Sequence, residues 1–162
     1  MSCDVAAAAF LFLASTGPSP STGHAPRIDL VALTAPTSSV ASEPLFADII
    51  KRASTLKADT ETYRKKTAKA ALALPLPKFD DFQARIGALA ELDMKGNAEL
   101  AARGTDGDLK CILKGIAQDL PKRMAELTGA KSGPDQDQAL RDMSYLLNDN
   151  VEVITAPPAP PV

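Results

Sequence analysis

The stretch Ala-Arg-Gly-Thr-Asp-Gly-Asp-Leu at 101–108 carries a helix stop and a helix start back to back, and this constrains the chain more than any other feature. Gly104 stands where a helix C-terminus wants a residue that takes positive φ without a Cβ penalty. Thr105 follows as an N-cap, and Asp108, three positions on, gives the spacing of a capping box with Asp in the acidic role. Asp106 and Asp108 also place negative charge on the first turn, where the helix dipole favours it. Two helices joined this tightly fold against each other, so the spacing predicts a helical hairpin over 79–128.

The flanking patterns extend the helical reading. Helix 1 is expected from Ser42 as N-cap, with Glu43 and Pro44 in the first turn. Its apolar stripe reads Phe46, Ile49, Ala53, Leu56, Thr60, Tyr63, Thr67, Ala70 and Leu74, a coiled-coil-like seam that Pro75 and Pro77 end. Helix 2 carries Phe79, Phe82, Ile86, Leu89, Asp93 and Leu100 on one face. Helix 3 carries Leu109, Ile112, Leu113, Ile116, Leu120, Met124 and Leu127, with a kink expected at Pro121. After Gly129 and Gly133-Pro134, helix 4 uses Ala139, Leu140, Met143, Leu146 and Leu147 and is expected to stop near Asn148.

Charge spacing supports the same reading independently. Acid precedes base at i, i+4 in eight pairs, Asp48/Arg52 and Glu99/Arg103 among them, against three in the reverse order. That bias has a use only where such side chains are neighbours on a helix surface. Ala and Leu dominate a composition that is 45% hydrophobic but 4% aromatic, which favours helix over sheet. The expected fold is therefore all-α: an antiparallel four-helix bundle with a long first helix over 43–150. A disordered Ser/Thr/Pro-rich arm precedes it (1–42), and a short extended Pro-rich tail follows (151–162). Residues 43–78 hold eight Lys/Arg against four Asp/Glu, and residues 132–162 hold one Arg against five acids. First and last helices are adjacent in an up-down bundle, so this asymmetry is expected to be satisfied between them.

The arm holds only Asp4, Arg27 and Asp29 as charges. Its apolar run Val5–Ala14 is about half the length of a spanning helix, and Met-Ser-Cys-Asp supplies no positive region ahead of it, so neither a span nor a cleaved leader is expected. Low charge with abundant Ser, Thr and Pro ahead of a helical domain is similar to the export signals of type III secretion substrates. That resemblance, confined to residues 1 to about 42, implies an exported effector or secretion-machinery component.

Most catalytic chemistries find no residues in the part expected to fold. The single histidine, His24, lies in the arm, which removes Ser/His/Asp and Cys/His arrangements and Glu-x-x-His metal sites from the bundle. No phosphate-binding glycine pattern is present, and no cofactor is expected. Arg64, Lys65, Lys66 and Lys69 form a basic run that reads as paired with helix 4 or solvated; without interleaved aromatics, a nucleic-acid partner is not expected. Cys111 lies opposite the apolar stripe of helix 3, near Gly115, and reads as an exposed thiol or a self-association point. Cys3 and Cys111 imply no disulfide framework. The Pro157–Pro161 run lacks a flanking base to orient a polyproline-binding partner.

Asp93 is the one acid inside an apolar stripe. Folding helix 2 back about Pro75–Pro77 brings it level with Thr60 and Tyr63, whose hydroxyls are then its expected partners in a buried polar layer. The functional expectation is a non-enzymatic helical module that binds a protein partner as adaptor, regulator or structural subunit; the exported protein is the alternative. Cytoplasmic placement goes with the first reading, and a type III-like or other non-classical route with the second.

Overall fold

The computed structural model describes residues 39–104 and 107–156. Four helices follow a short 3-10 turn at Ser39–Ser42: α1 (Pro44–Thr67), α2 (Phe79–Arg103), α3 (Gly107–Gly129) and α4 (Gly133–Thr155). Helix α1 packs most extensively on α4 and α2 on α3, while α3–α4 and the slimmer α1–α2 contact close the square. The antiparallel four-helix bundle is thus the fold, with α1 diagonal to α3 and α2 diagonal to α4.

Its core is the expected set of stripes. Phe46, Ile49 and Leu56 of α1, Phe82, Ile86, Leu89 and Leu100 of α2, Leu113 and Leu120 of α3, and Leu140, Met143 and Leu147 of α4 are fully buried. Each such side chain contributes roughly 1.5–3 kcal/mol by leaving water. The ring of Tyr63 meets Phe82 edge-on at 5.2 Å and ties α1 to α2. Gly96 lets three helices approach closely, for a Cβ there would stand 3.1 Å from Leu113 and 3.3 Å from Phe46.

Several boundaries differ from expectation, each for a physical reason. The N-cap of α1 is Glu43, not Ser42: the residue before a proline is pushed into extended backbone, and Glu43 has φ -72° and ψ 143°. The preceding turn is packed rather than separate, with Val40 only 2% exposed. At its other end α1 stops at Thr67, not at Leu74. The chain instead runs antiparallel beside the start of α4, where Ala73 N donates to Lys131 O and Gly133 N to Ala71 O. Leu72 and Ser132 are bridged there. Their backbone groups are satisfied across this bridge, so further helical turns are not needed.

Gly104 caps α2 at φ 67°, as its position in the sequence requires. Thr105 and Asp106, the expected cap of the next helix, lie outside the described residues, as do the greater part of the arm and the Pro157–Pro161 run. Helix α3 continues unbroken on both sides of Pro121. Helix α4 begins with Ser132 as N-cap, its hydroxyl accepting from Asp135 N at 3.2 Å and donating to the Asp135 carboxylate at 2.6 Å. It runs past Asn148 to Thr155, because Asn150 and Ile154 continue the buried face of the helix. Residues 151–155 are therefore helical, not extended.

Candidate functional site

Two places hold polar groups that the fold does not account for, one in the core and one at an end of the bundle. In the core, Asp93 is wholly buried, as the stripe of α2 dictates. Its partner is Asn150 of the diagonally opposite α4, whose Nδ2 donates to Asp93 Oδ2 at 2.8 Å. Burial pushes the Asp93 carboxyl up to about 8, against the smaller lowering effect of the Asn150 bond. Two buried oxygens, Asp93 Oδ1 and Asn150 Oδ1, have no hydrogen-bond partner.

The expected layer of Asp93 with Thr60 and Tyr63 does not form. Thr60 donates to Leu56 O in its own helix, and Tyr63 donates to Pro77 O at 2.6 Å. Register explains the difference. The Arg85–Asp59 ion pair, together with the packing of Gly96 against Phe46 and Ile49, sets α1 beside α2 so that Asp93 is level with Ile49 and Ala53. The eleven residues 68–78 cross the bundle end outside any helix, which displaces the pairing by about two turns from a hairpin centred on Pro75–Pro77.

The second place is the end where α1 and α3 finish and α2 and α4 begin. A groove of about 360 Å³ opens there between the 73–79 connection and the α3–α4 corner, with Leu74, Leu76, Phe79, Leu127 and Ala130 among its walls. Gln136 fixes one rim, donating to Leu74 O at 2.8 Å and accepting from Leu74 N at 2.9 Å. Leu72 and Leu74 are nonetheless 71% and 41% exposed. Lys65, Lys66, Lys69, Lys78 and Lys131 stand exposed at this end. None of these five joins an ion pair among the described residues.

The acids at the same end are mostly engaged elsewhere. Asp81 pairs with Arg85, Asp137 with Arg64 and Arg141, and Asp135 bonds to Ser132. Within the basic run only Arg64 meets the expected acidic neighbour on α4, through Asp137 at 3.6 Å, and it also pairs with Glu61 at 3.0 Å. Lys65 and Lys66 are exposed and join no ion pair among the described residues, so of the two readings of the run, pairing with α4 holds for Arg64 and solvation for these lysines. Two further polar contacts on the α1–α4 seam join a neutral to a charged group, Ser144 with Glu61 and Lys57 with Asn148. The Ser144 hydroxyl, more than Arg64, holds the Glu61 carboxyl below its ordinary value.

Cys111 is half-buried on α3 and is not a free cysteine, so the exposed thiol expected there is corrected. A Cβ built at nearby Gly115 meets nothing within 4 Å, and no close helix approach uses that face among the described residues. Sequence reasoning missed Asn150 and Gln136 altogether. Their signal lay in the stripe of α4, where both continue the spacing of the apolar residues. Lys78 and Lys131 were isolated single charges in the sequence and became part of a cluster only by folding.

Among the described residues no cluster of three or more His, Cys, Asp or Glu is placed to hold a metal ion. No helix there is long and apolar enough to cross a membrane. Compared with protein-family models, curated proteins and solved structures, the chain finds no match.

Proposed function

We propose that this protein is a non-enzymatic helical interaction module whose lysine-ringed end takes an acidic segment of a partner protein carrying apolar anchors. The observation behind this is the coincidence of five unpaired lysines with an apolar groove and two exposed leucines at one end of the bundle. Clustered cations repel one another, and an acidic ligand relieves that repulsion while its apolar side chains cover Leu72 and Leu74. The groove is small, so it suits a few side chains of a peptide-like segment rather than a broad flat surface.

The test uses a synthetic peptide that alternates Glu with Leu and Phe, titrated into the full chain at low and at physiological salt. Binding should weaken with salt, since exposed charges are screened over about 10 Å at 0.1 M. Replacing Lys65, Lys66 and Lys69 by Ser removes three exposed pairs worth about 0.2–1 kcal/mol each and should weaken binding on the order of tenfold. Equal binding of a Lys/Leu peptide, or capture of anionic vesicles with no capture of the acidic peptide, would overturn this reading.

A further inference from the structure

The Asp93–Asn150 pair joins two helices that have no other close approach, because α2 and α4 lie on a diagonal of the bundle. Both side chains are completely shielded from water. With an ionised carboxylate, only one hydrogen bond is possible between them, and the two Oδ1 atoms are left as acceptors with nothing to accept. A carboxylic acid changes that count. Its hydroxyl at Oδ1 donates to Asn150 Oδ1 while Oδ2 keeps the bond from Asn150 Nδ2, and both orphaned oxygens are satisfied at once. Buried polar atoms of a folded protein are nearly always paired, so the protonated form is the one this core accommodates.

We propose that Asp93 and Asn150 form a proton-carrying latch, a two-bond acid–amide ring that clasps α2 to α4 through the core and opens when the carboxyl ionises. The proton goes to solvent on opening and returns on closing, with no other bond made or broken. No charged group competes for the role. At the level of Asp93 the buried residues are Ile49 and Ala53 on α1, Leu113 and Ile116 on α3, and Leu147, Asn150 and Ile154 on α4, none of which titrates. Burial and the Asn150 bond are the influences on the carboxyl, and no charge contributes.

The sign of the pH effect follows. In the unfolded chain the carboxyl ionises near 3.9, and in the fold near 8. The latch therefore stabilises fully below the lower value, loses its contribution steadily as pH rises between the two, and contributes nothing further above the upper one. Ionisation places an unpaired charge beside the last turns of α4, and those turns should open first.

Asp93→Asn provides the test, since an amide at 93 reproduces the donor and acceptor of the protonated acid without its titration. Urea unfolding of the native and Asp93→Asn chains is compared from pH 4.5 to 9.5. The expected result is a native midpoint that falls relative to the variant with a slope of one proton taken up on folding, flattening above about pH 8. Amide exchange over 147–154 should quicken in the native chain relative to the variant at the same alkaline pH. A native profile parallel to the variant's, or an Asp93 carboxyl carbon that titrates by NMR near the ordinary value, would overturn the proposal. Asn150→Leu gives an independent check. It removes both bonds of the ring, so urea stability at pH 5 should fall and amide exchange over 147–154 should quicken there, and unchanged stability and exchange at pH 5 would show that the two side chains do not interact.

Discussion

The side-chain amide of Gln136 and the peptide group of Leu74 hold each other in both directions, at 2.8 and 2.9 Å, across 62 residues of sequence. Gln136 is buried, and it substitutes for the strand partner that the extended 70–74 stretch lacks on that side. Gln136→Leu keeps the volume but leaves the Leu74 N–H and C=O unpaired at a partly covered site. The expected loss is about 1–3 kcal/mol in urea unfolding. The 70–77 connection should also become the first site of proteolytic cleavage. If both are unchanged, the pair is solvent-replaceable and does not define the groove's rim.

Two glycines should respond oppositely to the same change. A Cβ at Gly133 would sit 1.7 Å from Ala70 O, a backbone atom that cannot yield without moving the bridge. Gly133→Ala should cost about 1–3 kcal/mol or more, as overpacking does. Gly87, inside α2, has nothing within 4 Å of the added atom, and Gly87→Ala should stabilise by roughly 0.5–1 kcal/mol through helix propensity. Thermal unfolding of both variants checks the pair.

Val40 tests where the folded unit begins. It belongs to the turn ahead of α1 and is buried at 2% exposure. Val40→Ala should then cost about 2 kcal/mol, the transfer of two methyl groups with a cavity behind them. A bundle that truly began at Ser42 would show no change in its urea midpoint.

The basic run should separate into a structural member and outward-facing members. Lys65→Glu with Lys66→Glu should leave stability within about 0.5 kcal/mol, because both side chains are exposed and unpaired. Arg64→Met removes contacts to Glu61 and Asp137 and should cost about 1 kcal/mol, more at low salt. Chemical denaturation at two salt concentrations distinguishes the cases. A large loss from the lysine reversals would place them on the α1–α4 seam instead.

Lys78 occupies left-handed backbone at φ 55°, one residue before α2, where a side chain costs roughly 1–2 kcal/mol. Lys78→Gly should recover about 1 kcal/mol of stability while weakening capture of the acidic peptide. Gain in stability with unchanged binding would remove Lys78 from the proposed surface and leave the other four lysines in place.

Much of this architecture is written locally, and local signals sufficed for it. Gly104 had to be a C-cap because a left-handed turn after Arg103 tolerates no other residue as well. The stripe Ile49–Ala53–Leu56–Thr60–Tyr63–Thr67 had to be buried because its spacing places it on one face of a helix, and Asp93 had to follow Leu89 into the core for the same reason. What completes that carboxylate was not legible. The polar Asn-Asp-Asn stretch that begins at Asn148 reads as a helix stop, which leaves Asn150 outside the expected helix. The one misreading both shortened α4 and hid the partner of Asp93. Propensity weighs a residue against water and its chain neighbours; only the opposite helix, brought within 2.8 Å by packing, supplies the acceptor that makes Asn150 a core residue. The connection 68–78 was decided the same way. Its alternating Leu and Pro residues look like the frayed end of a helix until α4 offers Gln136 and the 131–133 backbone to pair with. That pairing brings the connection against the start of α4 and gathers the rim of the lysine-ringed groove from residues 62 positions apart. Sequence determined which faces are buried, and tertiary contact determined what they meet.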